Sequence, residues 1–140
     1  MAANNVLNTT PHAVNYYSKN EAGEFVMTQT FPKSAYVSRL GETAGSLDAF
    51  NRSGEFLQKY PHVAAPIYSG VEGLPPANEM NDKTVIVSMV VGNYLAANPN
   101  AISSTNTTFV GPDTGPQGVV RDDKGGILGT NRFVVYAQKN

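Results

Sequence analysis

Cysteine is absent from the 140-residue chain, which excludes disulfides and thiolate metal sites and leaves the fold to packing and hydrogen bonds. Histidine is nearly absent. His12 and His62 stand far apart with no acidic neighbour at ligand spacing, so capping or core roles are expected rather than zinc binding. Neither sign of charge is in excess: ten Lys and Arg face eleven Asp and Glu, for a net charge of -1. No general field therefore draws in a polyanion such as DNA or RNA, and any phosphate recognition must be local. Long apolar runs are missing too. The best of them, Val85 to Val91, is broken by Ser88 and falls far short of the roughly 20 residues of a membrane helix, so no membrane partner is expected. The Asn-rich start, Met1 to Thr10, lacks the basic and apolar regions of an export leader, and a reducing, cytoplasmic setting is the expectation.

Catalytic signatures are equally scarce. No Gly-x-Ser-x-Gly elbow presents a serine, and Glu42, Asp48, Glu55, Glu72 and Glu79 are scattered rather than paired, as solvated surface carboxylates are. No cofactor is implied, and no period of 20 to 50 residues marks a repeat architecture.

What is present reads as one α+β domain spanning residues 1–140, mostly antiparallel β with one or two short helices. Val14 and Tyr16, then Phe25 and Met27, alternate around the turn-forming stretch Lys19 to Gly23 and predict a hairpin. Pro32 predicts a strand end, and Ala35 to Leu40 predicts a strand that Arg39 closes. Leu47, Phe50, Phe56, Leu57 and Tyr60 suit a short helix or an ordered excursion bounded by Gly54 and Pro61. Pro66 to Val71 predicts a short strand ended by Gly73-Leu74-Pro75-Pro76, and Lys83 to Val87 is the clearest β run. Ser88 is placed to cap a helix over Met89 to Ala97, stopped by Asn98 and Pro99. Asn98 to Thr107, almost all Asn, Ser, Thr, Ala and Pro, predicts a mobile surface loop. Val119 to Arg121 and Ile127 to Val135 flank Asp122-Asp123-Lys124-Gly125-Gly126, the strongest hairpin signal in the chain, with Phe133 to Tyr136 expected to pack well.

Three features point to binding. Val110 to Val119 is rich in glycine and loosely resembles loops that cradle phosphates, without the Lys-Ser/Thr ending of a nucleotide-binding loop. The arginines are few, Arg39, Arg52, Arg121 and Arg132. A strand-held arginine is preorganised for phosphate or for stacking on a base, although pairing of such an arginine with Asp122 or Asp123 is as natural. Tyr16, Tyr17, Tyr36, Tyr60, Tyr68 and Tyr94 supply aromatic faces, of which Tyr94, beside the polar loop, is the best stacking candidate.

Several short blocks resemble a known family. These are Asn8-Thr9-Thr10-Pro11-His12, the Pro-x-Ser-x-x-Val-x-Arg pattern from Pro32 to Arg39, Val71-Glu-Gly-Leu-Pro75, Val85-Ile-Val-Ser88 and Arg121-Asp-Asp-Lys-Gly-Gly-Ile-Leu-Gly129. Their order from Asn8 to about Phe133 is similar to that of the first Thoeris anti-defence family, phage sponges for cyclic ADP-ribose immune signals. The resemblance implies a non-enzymatic protein in the cytoplasm of the infected bacterial host, binding and sequestering a cyclic ADP-ribose-type (glycocyclic ADP-ribose) signal without degrading it. It implies that Arg39 and Arg121 grip the ligand, and that Asn93, Tyr94 and the region from Asn98 to Asn106 form a lid. The loop residues themselves depart from the family's, and the segment from Phe50 to Pro66 is longer than its norm. The resemblance also implies a homo-oligomer, and in some members a separate site for cyclic oligonucleotides. Two other readings suit the same composition, a phage virion or assembly component and a nucleotide-signal hydrolase.

Overall fold

The most apolar stretch of the chain supplies an inner strand and the start of the helix that follows it. The computed structural model describes residues 5–44, 59 and 66–140; the expectations for Leu47, Phe50, Asp48, Arg52, Glu55, Phe56, Leu57, Tyr60 and His62 lie outside them. Strand β1 (Val6–Asn8), β2 (Val14–Lys19), β3 (Phe25–Phe31), β4 (Arg39–Ala44) and β5 (Pro66–Glu72) lead to a one-turn helix α1 (Ala77–Met80). Then come β6 (Thr84–Ile86), α2 (Met89–Ala97), a 3-10 turn (Pro99–Ala101), β7 (Thr107–Pro112), β8 (Val119–Arg121), β9 (Ile127–Thr130) and β10 (Phe133–Lys139). The domain is α+β.

Strand β6 lies between β1 and β7, parallel to both, and β10 completes the sheet antiparallel to β7. A strand covered on both faces must be apolar throughout, and Val85, Ile86 and Val87 are fully buried. Alternation along the strand sends them to opposite sides. Val85 and Val87 join Phe109, Met80, Ile102 and the α2 residues Val91 and Leu95 in one cluster. Ile86 joins Val110 and Val14 in another, against which Phe31 and Phe133 pack. The helix crosses between two adjacent parallel strands, β6 and β7, as such a connection requires. Its start is the expected one, with Ser88 Oγ accepting a hydrogen bond from the Val91 N–H at 3.3 Å. Gly92 of α2 and Gly111 of β7 both face the ring of Tyr136 on β10, so the helix approaches the sheet across an aromatic plate.

The second sheet has the order β3-β2-β9-β8. It consists of the two expected hairpins, β2–β3 and β8–β9, joined by a single parallel bridge from Tyr16 to Thr130. Strands β4 and β5 form a separate antiparallel pair.

Four expectations are corrected. Ala35 to Ser38 lies outside any ladder, so Arg39 opens a strand instead of closing one. The preceding residues are fixed instead by isolated bonds to β1 and its continuation: Ser34 N–H to Asn8 O, Ser38 N–H to Thr9 O, and the Thr9 and Ser38 hydroxyls 2.8 Å apart. The stretch from Ile127 to Val135 breaks at Asn131 and Arg132 and serves two sheets, with the Thr130 hydroxyl sharing its one proton among the carbonyls of Asp113, Gly118 and Arg132 at the corner. Phe133 and Tyr136 are half-buried, but Val134 and Val135 lie exposed on an edge strand. The polar loop after α2 is fastened down. Ile102, Ser104 and Thr107 are buried, with Thr107 Oγ1 bonded to Ser104 Oγ at 2.7 Å and to Met80 O at 3.0 Å, and Lys139 Nζ donates to Ile102 O. Hydroxyls that satisfy each other and the backbone bury at little cost, which composition does not reveal.

Candidate functional site

The glycine-rich link between β7 and β8 is built from its own polar groups. Asp113 Oδ1 accepts from the Gly115 N–H at 2.9 Å, and the N–H groups of Gly118 and Val119 both donate to Gly115 O at 3.0 Å. These donors are engaged inside the loop, so it is a stiff wall and not the phosphate cradle its glycines suggest. Arg132, just past the corner, braces it by pairing with Asp113 Oδ2 and donating to Gln117 Oε1.

That pairing titrates. The Arg132 guanidinium, and next the Gly115 N–H, hold the Asp113 carboxyl below the ordinary aspartate range. A carboxylate depressed in the folded state takes up fewer protons than the unfolded chain, so its contribution is complete above the ordinary aspartate pKa and disappears as pH falls through the lowered one. Asp113→Asn should therefore flatten the acid limb of stability measured by urea unfolding between pH 5 and pH 2; an unaltered limb would assign that limb to other carboxylates.

Three clefts surround this wall. One of about 550 Å³ is lined by Tyr16, Tyr17, Lys19 and Phe25 of the first hairpin with Pro116, Gln117, Val119 and Asn131. A second, about 560 Å³, is lined by Thr114, Pro116, Val119 and Arg121. The two share Pro116 and Val119. The third, about 380 Å³, lies where His12 to Asn15 face Thr114 and β9.

Arg121 reaches its cleft because β8 and β9 carry a bulge between Val120 and Arg121, a device that re-aims a side chain. The guanidinium is exposed and donates to Gly125 O at 2.7 Å, a neutral partner, and forms no ion pair among the described residues. Asp122 turns away to close the hairpin, its Oδ1 accepting from Lys124 and Gly126 N–H groups. Arg39 sits elsewhere. At the head of β4 it lies 3.6 Å from Glu72 across the β4–β5 pair, with both side chains largely in solvent. Helix α2 packs against β4 and β5 as well as β7 and β10, so exposed Asn93 and half-buried Tyr94 stand on an element neighbouring Arg39. Within one chain the structure thus groups Arg39 with α2 and sets Arg121 with the hairpin clefts.

Lys19 and Asn131 carry no mark of a site in the sequence, and Tyr17 is there only one of six aromatic faces. The one usable signal was the Gly- and Pro-rich stretch from Val110 to Val119, whose partners come from distant parts of the chain. Among the described residues, no group of three or more His, Asp or Glu is arranged to hold a metal ion, and no helix is long and apolar enough to cross a membrane. In comparisons with known proteins, no family model, curated protein or solved structure matches the chain.

Proposed function

We propose that this protein is a phage anti-defence protein that binds a cyclic ADP-ribose-type immune signal in the cytoplasm of the infected bacterium and holds it unaltered. The observation that carries this reading is Arg121. The position to which the family resemblance assigns a grip on the ligand carries an exposed guanidinium, with a carbonyl as its partner, at the wall of a cleft of about 560 Å³. A cleft of that size suits a nucleotide-sized ligand, and an arginine fork matches a phosphate bidentately.

Arg39, Asn93 and Tyr94 join the site, in this reading, from a second copy of the chain. Support for a homo-oligomer comes from apolar side chains left in solvent: Met89 and Val90 at the start of α2, 61% and 51% exposed, and Val134 and Val135 on the edge strand that α2 packs against. Exposed apolar side chains on two elements packed together are material for an interaction surface.

The test is depletion followed by recovery. Purified protein mixed with a panel of cyclic ADP-ribose isomers should lower the free concentration of at least one, and heat denaturation should return that isomer intact. Absence of depletion across the panel, or recovery of cleaved products, would overturn the reading.

A further inference from the structure

We infer that the ligand site does not end at Arg121 but continues into the adjoining cleft, where Lys19 supplies a second cation for phosphate and Tyr17 a face for an adenine base. The inference rests on the reading above and assigns the two ends of the ligand to two clefts of one chain.

The clefts are adjacent, with Pro116 and Val119 lining both, and each offers a cation from a different hairpin. Lys19 closes β2, and its Nζ rests 5.3 Å from the centre of the Phe25 ring. An exposed cation–π contact is a weak hold, so an arriving phosphate takes the ammonium in preference to the ring. Tyr17 is half-buried, and the edge of its ring lies against Gly129, where a Cβ would stand 2.9 Å from Tyr17 Cε1. The ring is thereby set in place before any base arrives, and base–aromatic stacking needs only its free face.

The polar groups of this cleft suit adenine. The Asn131 backbone N–H is bound to Gly118 O at 2.8 Å, while its half-buried side-chain amide has no hydrogen-bond partner among the described residues. Gln117 offers its Oε1 to Arg132 and keeps its amide donors. An unengaged carboxamide presents a donor and an acceptor side by side, the pattern that pairs with the N6 amino group and N7 of adenine. A ribose-diphosphate held between Arg121 and Lys19, with its base on Tyr17, is the ligand chemistry that these groups match, and no step of bond making or breaking is involved.

Calorimetric titration of the wild type, Lys19→Ala, Lys19→Arg and Tyr17→Leu tests this, with two probes: the glycocyclic ADP-ribose isomer that the wild type depletes most, and plain ADP. Loss of a charge-assisted contact should weaken binding of both probes to Lys19→Ala by about tenfold or more, with Lys19→Arg restoring it, and Tyr17→Leu should weaken both by about fivefold or more. If Lys19→Ala and Tyr17→Leu bind within twofold of wild type while Arg121→Ala does not, the extension falls and the sponge reading stands. If the wild type holds no cyclic isomer but binds ADP through Lys19 and Tyr17, the site stands and the sponge reading falls. Binding of neither probe overturns both.

Discussion

Arg121→Ala is expected to weaken binding of the cyclic ADP-ribose-type ligand by roughly 10- to 150-fold, the range for losing a hydrogen bond between charged groups, with no change in the unfolding midpoint. The separation follows from the geometry. The guanidinium is exposed and its partner within the chain is the Gly125 carbonyl at the tip of its own hairpin, a turn already closed by Asp122. The fold loses little with the side chain; a ligand phosphate loses a two-pronged donor. Arg121→Lys keeps the charge without the fork and should fall between. Near-normal titration of Arg121→Ala would remove the central support of the proposed function. The same measurement addresses assembly. If Arg39 reaches the ligand from a second copy, Arg39→Ala fails alone, yet mixing it with Arg121→Ala and reassembling restores about a quarter of the sites in a two-fold dimer, since half the dimers are mixed and each has one intact site. Failure to restore any binding would place the two arginines on the same chain's site or outside it.

Gly92→Ala should destabilise the protein by about 1 to 3 kcal/mol, the usual cost of overpacking a filled site, although alanine is the better helix former by about 1 kcal/mol. Gly92 is a buried helical residue, and a methyl group there would fall on Cδ2 and Cγ of Tyr136. The ring also meets Gly111, where a Cβ would lie 2.7 Å from Tyr136 Cε2 and 2.8 Å from Val87 O. The lower midpoint in urea should be partly recovered by Tyr136→Leu in the same chain, because a smaller flexible side chain makes room. A stabilised Gly92→Ala protein would mean that the helix does not approach the sheet as described.

Where residues act on near neighbours, the sequence was readable. Ser88 and the helix formers after it define α2 without help from the rest of the chain, and the turn residues after Lys19 and Arg121 define the two hairpins. The parallel pairing of β6 with β1 and β7 was not readable, since a buried strand of Val and Ile carries no mark of its partners. Arg39 illustrates a boundary error: the strand expected from Ala35 to Leu40 starts only at Arg39, because Ser34 and Ser38 bind Asn8 and Thr9 singly and form no ladder. The site shows the same division. Arg121 stood out by position, whereas Tyr17 and Asn131 become neighbours only because Tyr16 meets Thr130, a contact between residues more than a hundred positions apart.

That meeting has a mechanical side. Only one ladder rung joins β2 to β9, and close packing does the rest, with Asn15 reaching Leu128 O and both Asn15 and the Tyr17 ring lying against Gly129. The mouth bounded by Lys19 of the first hairpin and by Pro116 of the β7–β8 link therefore spans segments far apart in the chain, and a guest gripping both would act as an added strap between them.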